Sequence, residues 1–326
     1  MKVCIIGAGA IGGFIGARLA AAGRADVSAL ARGSTLAALR RHGWRLRIGD
    51  SLLQTPARAS DSAAELGAHD LVVIAVKGPA LTAVAGDISP LLGAHTLVMP
   101  AMNGVPWWFC EGLPGVGDSP LHSVDPGGVA AREIALSRVL GCVVHASTFT
   151  PEPGLVQHRS GHGLIVGEPA GGLSERAQRV AELLTHAGFD ATQSADVRYD
   201  IWYKLWGNMT MNPLSAITGA TIDRLLADTE LRGFCSAAML EAAAVGERIG
   251  CRITQTPEDR HAVTARLGEF KSSMLQDVEA GRPIELDAIV GAVHEIGQRL
   301  GMTLPCISAL MGITRVFGRV HGLYPP

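Results

Sequence analysis

The sequence predicts an α/β domain over residues 1–195, followed by an all-α domain over residues 196–326. Short apolar runs of strand length alternate with amphipathic patterns in the first part, as in α/β proteins with a parallel sheet. A glycine-rich turn directly follows the first apolar run. From residue 196 onwards the strand signals stop and long helical patterns replace them. A chain of 326 residues is long enough for two domains, each with its own core.

The composition is that of a folded globular protein without a strong charge bias. Hydrophobic residues make up 48% of the chain, charged residues 18%, and the net charge is −2. This balance gives no basic field for nucleic acid, and we predict no membrane span. The six cysteines are scattered without a C-x-x-C pair. We therefore expect free buried thiols, no metal site and a cytoplasmic location.

The first predicted strand, residues 3–6, leads into a glycine-rich turn and then into a helical pattern that ends at residue 22. A Rossmann-type dinucleotide site requires this strand–turn–helix context. Its first glycine permits the tight turn, the second lets the backbone approach a pyrophosphate, and the third allows close helix–strand packing. The phosphates lie at the positive helix N-terminus. A glycine turn without a ligand is the alternative. The predicted cofactor-binding residues are Gly7, Ala8, Gly9, Ala10, Ile11 and Gly12.

The end of the second predicted strand, residues 26–31, indicates which dinucleotide is bound. An NAD-specific protein usually has an acidic residue there, which holds the ribose hydroxyls. This chain has Arg32 instead. An arginine attracts a 2′-phosphate through charge-assisted hydrogen bonds worth roughly 1.5–3 kcal/mol, whereas an acid would repel it. The sequence therefore predicts NADP(H), with a solvated loop charge as the alternative role of Arg32.

Polar residues also follow two later strands of the predicted sheet. Residues 71–76 form a continuous apolar run, typical of a strand buried on both faces, and Lys77 follows directly. Residues 96–100 lead to Asn103. Ligands of open α/β sheets bind at the carboxyl ends of the strands, so both side chains are candidates for the site. An Asn-Gly turn without a special role is the alternative for Asn103.

The remaining strands of the first part are shorter or less regular. Residues 112–128 are dense in glycine and proline and are predicted to form turns. Residues 173–187 are predicted to form an amphipathic helix. Predicted strands that form a hairpin or extend the sheet are residues 44–48, 51–55, 139–146, 155–158, 164–167 and 189–192.

The second part opens with a helix over residues 196–217 that carries an unusual polar stripe. Lys204, Asn208 and Asn212 are spaced by four, which stacks them on one face of an otherwise apolar helix. Pro213 lies inside the same pattern. A solvated helix face is the alternative, but such a face more often carries several charges. The stripe therefore favours a polar wall of a pocket.

Four further helices and a polar junction follow. A helical domain after a dinucleotide-binding domain places a substrate cleft between the two. Residues 272–277 are predicted to join two helices, and Glu285 opens the next one, so helix capping is the alternative role of Glu285. The predicted helices are residues 230–249, 257–267, 286–300 and 305–320.

Taken together, these motifs resemble the ketopantoate reductase (2-dehydropantoate 2-reductase) family. The resemblance implies a Rossmann-type domain followed by an all-α domain like the C-terminal domain of 6-phosphogluconate dehydrogenase. It also implies NADPH-dependent reduction of a 2-oxo acid, by default 2-dehydropantoate to pantoate in pantothenate biosynthesis. The matching pieces, in chain order, are GAGAIG, Arg32, AVK ending at Lys77, MNG at Asn103, YKLWGNMTMNPLSAI, SSMLQD and IELD.

The resemblance also implies roles on the substrate side. Lys204 matches the general acid of the family. Asn208, Asn212 and Ser273 match residues that bind the 2-oxo acid. Glu285 matches a glutamate that supports the site and contacts substrate or cofactor.

On the cofactor side, Arg32 and Lys77 match residues near the adenosine phosphate. Asn103 matches a residue near the nicotinamide ribose and the substrate. Ala146 matches an alanine that touches NADP.

One region departs from the family pattern, and it leaves the substrate open. Residues 103–128 are longer than in the best-known members, so another 2-oxo acid remains an alternative substrate. A related dehydrogenase of a β-hydroxy acid and a non-catalytic NADP(H) sensor are the rival functions. The expected partner is a small-molecule 2-oxo acid, without nucleic acid or membrane. A homodimer is also compatible, because the apolar helices could pack on a second copy or form internal core.

Overall fold

The computed structural model describes residues 1–266 and 268–326, which form two compact units. The first unit comprises Met1–Met102 and Gly128–Asp200, and the second comprises Asn103–Gly127 and Ile201–Pro326. The sequence places residues 103–127 in the first domain, whereas in the structure this segment belongs to the second unit. The predicted first domain ends at residue 195, whereas the first unit of the structure ends at Asp200, five residues later.

The segment Asn103–Gly127 belongs to the helical unit because its backbone is bonded there. The Glu295 carboxylate accepts the backbone N–H groups of His122 and Ser123 at 2.9 and 2.8 Å. The Arg299 guanidinium donates to the backbone carbonyls of Val116, Ser119 and Pro120. Arg299 and Glu295 also pair with each other at 2.7 Å. The glycine and proline pattern predicts the turns but not the helix on which they pack.

The first unit consists of two five-stranded sheets and the helices between and around them. Its strands are β1 (Lys2–Ile6), β2 (Asp26–Leu30), β3 (Trp44–Ile48), β4 (Ser51–Thr55), β5 (Arg58–Ser60), β6 (His69–Ile74), β7 (Leu92–Pro100), β8 (Gly141–Glu152), β9 (Leu155–Gly167) and β10 (Asp190–Ser194). Its helices are α1 (Ala10–Ala22), α2 (Gly33–His42), α3 (Ala63–Leu66), α4 (Leu81–Asp87), α5 (Val129–Glu133) and α6 (Glu175–His186).

The first sheet is the predicted parallel sheet, in the order β5-β2-β1-β6-β7. Strand β1 lies at its centre, pairs with β2 and β6 in parallel, and is buried on both faces from Val3 onwards. All neighbouring strands in this sheet run parallel. The residues that follow β1, β2 and β6 therefore lie at one edge of the sheet, where open α/β sheets bind their ligands. This arrangement confirms the predicted Rossmann-type fold.

The prediction that the later strands extend this sheet is wrong. They form a second sheet in the order β10-β9-β3-β4, with β8 paired to β9. Residues 155–158 and 164–167, predicted as two strands, are one strand, β9. The polar, glycine-containing residues between them look like a turn, but their ladder with β8 continues through the pair Ser147 and Ser160. Helix α1 packs against strands of both sheets, so the core of the unit surrounds Phe14 and Ile15.

The second unit is helical, as predicted. Its helices are α7 (Val197–Thr218), α8 (Ile222–Ala227), α9 (Thr229–Arg248), α10 (Pro257–Ala265), α11 (Ser273–Glu279), α12 (Ala292–Arg299) and α13 (Pro305–Val320). The predicted junction over residues 272–277 is helical, because Ser272 caps α11. Residues 286–300 are not one α-helix, since Asp287–Gly291 form a π-helical turn before α12. Residue 267, the predicted end of the helix now labelled α10, lies outside the described residues.

The core of the second unit is built around the tryptophans of α7. Trp206 is buried and its indole N–H donates to the Met239 carbonyl of α9 at 2.7 Å. Trp202 stacks on Phe109 of the segment Asn103–Gly127, with ring centroids 5.8 Å apart. This packing fixes the rotation of α7 about its own axis and thereby the face that carries its polar stripe.

Two further structural observations concern the surface and the thiols. In the described part of the chain, no helix is long and apolar enough to cross a bilayer. The cysteines are free thiols, of which five are buried and Cys306 is partly exposed.

Candidate active site

Helix α7 presents the predicted polar stripe along one side. Lys204 and Asn208 are partly buried, and Asn212, two turns after Lys204, is only 6% exposed. The neighbouring positions Trp202 and Trp206 are buried in the helical core. An amide buried among apolar groups is costly unless its polar atoms find partners. The stripe is therefore not a solvated helix face.

Lys204 is bonded to Asn103, 101 residues earlier in the chain. The Lys204 Nζ atom donates to the Asn103 Oδ1 atom at 3.0 Å in a partly buried setting. A hydrogen bond from an ammonium group is charge-assisted and stronger than a neutral one. The Asn103 amide orients the ammonium group and carries no charge of its own. The structure thus brings two predicted site residues together within the second unit.

The position of Asn103 depends on the residues directly after it. Gly104 has a φ of +81°, and a Cβ atom there would lie 2.3 Å from the carbonyl oxygen of Ala288. The backbone N–H of Val105 donates to the same carbonyl at 2.8 Å. Ala288 lies in the π-helical turn Asp287–Gly291. Such turns are rare and frequently lie at functional sites. Only a glycine permits this close approach, so the turn and Asn103 are held together.

The start of α11 is tied to the far end of the stripe. Ser272 caps the helix by accepting the Leu275 N–H at 3.1 Å, and its hydroxyl reaches the Asn212 carbonyl oxygen at 3.5 Å. Ser273 follows as the first residue of α11, with an exposed side chain. Ser272 is missing from the predicted site residues. The sequence does indicate that Ser272 is an N-cap, because a serine directly before an apolar helical run is preferred at that position.

Glu285 is partly buried and precedes the π-helical turn, between the buried Ile284 and Leu286. Its neighbour Asp287 accepts a hydrogen bond from the Tyr324 hydroxyl at 2.6 Å. Burial raises the pKa of Asp287, and the Tyr324 hydrogen bond opposes that rise. Burial and the contact with Asp287 raise the pKa of Tyr324 to about 12. The hydroxyl therefore keeps its proton at neutral pH and remains a donor to Asp287.

The glycine turn of the first unit has the geometry that a dinucleotide requires. Gly7 has a φ of +86°, and a Cβ atom there would lie 2.9 Å from the Ala75 carbonyl oxygen. A Cβ atom on Gly12 would lie 2.1 Å from the Gly7 carbonyl oxygen. At Gly9, by contrast, an added Cβ atom meets nothing within 4 Å. Gly9 is also the N-cap of α1 and supplies no side-chain cap. The backbone packs closely at Gly7 and Gly12, whereas the space beside Gly9 is unfilled. A pyrophosphate could therefore approach the backbone at Gly9.

The other predicted cofactor residues lie in the same unit. Arg32 follows β2 and is the N-cap of α2, and its guanidinium pairs with Asp87 at 3.0 Å. Both side chains of this pair are more than 60% exposed. Lys77 precedes a short 3₁₀ turn at the end of β6, and Ala146 lies partly buried in β8. Asp87 is missing from the predicted site residues, because no local pattern connects it with Arg32.

The parallel sheet with its glycine turn, and the helical unit with its lysine and amides, define a two-domain oxidoreductase with a Rossmann-type first domain. The profile of the family described as Ketopantoate reductase PanE/ApbA matches residues 3–106. The profile described as Ketopantoate reductase PanE/ApbA C terminal matches residues 196–317. The chain belongs to the ketopantoate reductase family.

Individual relatives agree with this assignment. The 2-dehydropantoate 2-reductase of Mesorhizobium japonicum is 43% identical over 325 residues, covering 99% of this chain and 100% of the relative. A crystal structure of a candidate ketopantoate reductase from Ralstonia solanacearum has a TM-score of 0.95 at 50% identity, covering 99% of each chain. D-mandelate dehydrogenase, solved with NADH and anilino(oxo)acetate, shares the fold with a TM-score of 0.86 at 20% identity, covering 99% of this chain and 100% of that one.

Proposed function

We propose that this chain reduces a 2-oxo acid to a 2-hydroxy acid with NADPH, and that the acid is by default 2-dehydropantoate. The observation that carries the proposal is the hydrogen bond of Lys204 Nζ to Asn103 Oδ1 at one end of the stripe on α7. It is supported by the 43% identical 2-dehydropantoate 2-reductase that matches the chain over its whole length. The free, mostly buried thiols fit our expectation of a cytoplasmic enzyme.

Several residues of the first unit would hold the cofactor. The backbone N–H groups of the turn from Gly7 to Gly12 would bind the pyrophosphate at the N-terminus of α1, where the helix dipole favours negative charge. Arg32 and Lys77 would bind the phosphate of the adenosine, and Ala146 would pack against the dinucleotide. Once bound, NADPH supplies the hydride that reduces the 2-oxo carbon.

Lys204 would carry the acid chemistry. Negative charge develops on the carbonyl oxygen of the 2-oxo acid as that group is reduced. The Lys204 ammonium would stabilise this charge and donate the proton that completes the hydroxyl group. Asn103 would hold the ammonium in place and would lie near the nicotinamide ribose. The amide is neutral, so this bond brings no negative charge to Lys204.

The remaining residues would bind and orient the acid. The amides of Asn208 and Asn212 and the hydroxyl of Ser273 can donate to carboxylate and hydroxyl oxygens of the substrate. Glu285 can accept from a substrate hydroxyl, contact the cofactor or orient Lys204. Neutral amides suit this task, because they bind the oxygens of the substrate without adding a negative charge beside Lys204.

A substrate panel tests the proposal. We expect the purified protein to oxidise NADPH in the presence of 2-dehydropantoate, followed by the absorbance of the reduced nicotinamide. Other 2-oxo acids and the reverse reaction with β-hydroxy acids belong in the same panel. NADPH binding without turnover of any acid would favour the non-catalytic sensor. Activity with a β-hydroxy acid alone would favour the related dehydrogenase.

A further inference from the structure

The segment that carries Glu285 is held at two points by the last residues of this sequence. The backbone N–H of Ile284 donates to the Leu323 carbonyl at 3.0 Å, and the Tyr324 hydroxyl donates to Asp287 Oδ1 at 2.6 Å. The two anchors lie one residue before Glu285 and two residues after it.

Helix α13 supplies the support on which these anchors rest. The backbone N–H of Leu323 donates to the Gly318 carbonyl at 2.7 Å, which folds the chain back on the end of α13. A Cβ atom on Gly318 would lie 2.7 Å from the Tyr324 Cβ atom and 3.0 Å from Ile284 Cδ1. The absence of a side chain at this position therefore makes room for both partners, and Tyr324 reaches Asp287 from a fixed base.

The same π-helical turn also positions Asn103. Asp287 begins the turn, and the next residue, Ala288, accepts the Val105 N–H through its carbonyl oxygen. Gly104 packs against that carbonyl, and Asn103 in turn accepts the hydrogen bond of Lys204. A displacement of Asp287 would therefore move Glu285, which lies two residues earlier in the chain. It would also move Asn103, because the Ala288 carbonyl is bonded to Val105.

We propose that Tyr324 is a positioning residue which, through Asp287, holds the π-helical turn that places both Asn103 and Glu285. This inference rests on the proposed function of the same site. Loss of the hydroxyl leaves the half-buried Asp287 carboxylate without that donor, which costs more than an ordinary hydrogen bond contributes. The turn relieves this cost by moving toward water. A shift of about 1 Å at a site that depends on orientation can lower the rate by about 100-fold.

Kinetics of four variants test the inference. We expect Tyr324→Phe to lower kcat by roughly 10- to 100-fold and to change the NADPH dissociation constant far less, because the glycine turn, Arg32 and Lys77 of the first unit are untouched. Asp287→Ala should behave alike, and the double variant should be no worse than the poorer single variant, since both changes remove one interaction. Asp287→Asn keeps an acceptor for the hydroxyl and should retain most activity.

A matched control separates this effect from the loss of any tyrosine hydroxyl. Tyr203 donates to Gln255 Oε1 at 2.7 Å on the exposed side of the helical unit, so Tyr203→Phe removes a bond of the same type. We expect this variant to keep kcat. An equal fall of kcat in Tyr203→Phe, or full additivity in the double variant, overturns the inference. A lower melting temperature of Tyr324→Phe with unchanged kcat overturns it as well.

Hydrogen–deuterium exchange gives a readout that does not depend on turnover. We expect faster exchange of the Val105 and Ile284 amides in Tyr324→Phe, while the amides of α10 keep their wild-type rates. If the wild-type protein reduces no 2-oxo acid, the proposed function fails, but the exchange rates still test the connection between Tyr324 and Asn103. Unchanged exchange at both amides overturns the inference.

Discussion

At the level of single residues, the candidate site depends on how each charged group is partnered. Lys204 is paired with a neutral amide, whereas Arg32 is paired with a carboxylate. The first bond orients the ammonium group through a neutral oxygen. The second must be opened before the guanidinium can bind a phosphate.

Replacing Lys204 removes the proposed acid and most of the charge stabilisation. We expect Lys204→Ala to lower kcat by roughly 10²–10⁴-fold, the usual contribution of a general acid, with NADPH affinity nearly intact. Steady-state kinetics and a fluorescence titration with NADPH measure the two quantities. Lys2→Ala, at an exposed lysine of β1, is the control and should leave both unchanged. Unchanged turnover in Lys204→Ala would contradict the role of Lys204 as the general acid.

The pair of Arg32 and Asp87 leads to a prediction about cofactor preference. Arg32→Ala should shrink the preference for NADPH over NADH, because the proposed partner of the 2′-phosphate is lost. Asp87→Asn should tighten NADPH binding by up to about fivefold, since an exposed ion pair contributes at most about 1 kcal/mol. Dissociation constants for both cofactors test this. Arg41→Ala, at an exposed arginine of α2, should leave the ratio unaltered. An unaltered ratio in Arg32→Ala would refute the phosphate role.

At the level of elements, the π-helical turn Asp287–Gly291 connects three parts of the helical unit. Its Ala288 carbonyl holds the start of the segment Asn103–Gly127, and its Asp287 carboxylate holds Tyr324. Helix α12 continues from the turn, and its Glu295 carboxylate accepts the backbone N–H groups of His122 and Ser123 in the later part of that segment. The turn and α12 thus hold the segment at Val105 and again between Val116 and Ser123.

A side chain at Gly104 should break the contact between Asn103 and the turn. The backbone there has a positive φ, and an added Cβ atom would meet the Ala288 carbonyl oxygen at 2.3 Å. We expect Gly104→Ala to cost about 1–3 kcal/mol in the free energy of unfolding and to lower kcat, because the backbone must shift. Gly112→Ala is the control for strain alone, since its φ is +78° but an added Cβ atom meets nothing within 4 Å. Equal kcat in both variants would contradict this prediction.

At the level of the whole molecule, apolar side chains remain uncovered on the helical unit. Leu240 of α9 is 59% exposed, and Ile313, Val316 and Val320 of α13 are 57%, 59% and 76% exposed. The two helices pack on each other, and the three residues of α13 recur with helical spacing. Several exposed apolar side chains on neighbouring helices are typical of an interaction site, and most soluble oligomers are symmetric dimers.

We therefore predict a homodimer in which this face packs on a second copy. Light scattering coupled to size-exclusion chromatography should give twice the mass of the 34.0 kDa chain. Val316→Glu should shift the protein toward the monomer, because it would bury an unpaired charge in the interface. Leu173→Glu, at a similarly exposed residue of the first unit, is the control. A wild-type monomer at all concentrations would exclude this interface.

Local patterns predicted much of this molecule. The Rossmann-type domain begins with a strand, a glycine turn and a helix that follow one another directly in the chain. Their order and spacing therefore predict a dinucleotide site. The stripe of Lys204, Asn208 and Asn212 is readable for the same reason, because helical periodicity alone places residues four apart on one face. Strand β9 was harder to predict, since its glycines and polar residues look like a turn and only the ladder with β8 makes them a strand.

What the sequence determined by itself is the class of fold, the glycine turn after β1 and the line of polar side chains on α7. What only the tertiary structure decided is which distant residues meet. Asn103 and Lys204 lie 101 positions apart, and Asp287 and Tyr324 lie 37 apart. Such pairs form because burial of apolar faces folds the chain into one arrangement, in which groups without any local relation come within hydrogen-bond distance. The periodicity of a single helix or strand does not predict such contacts.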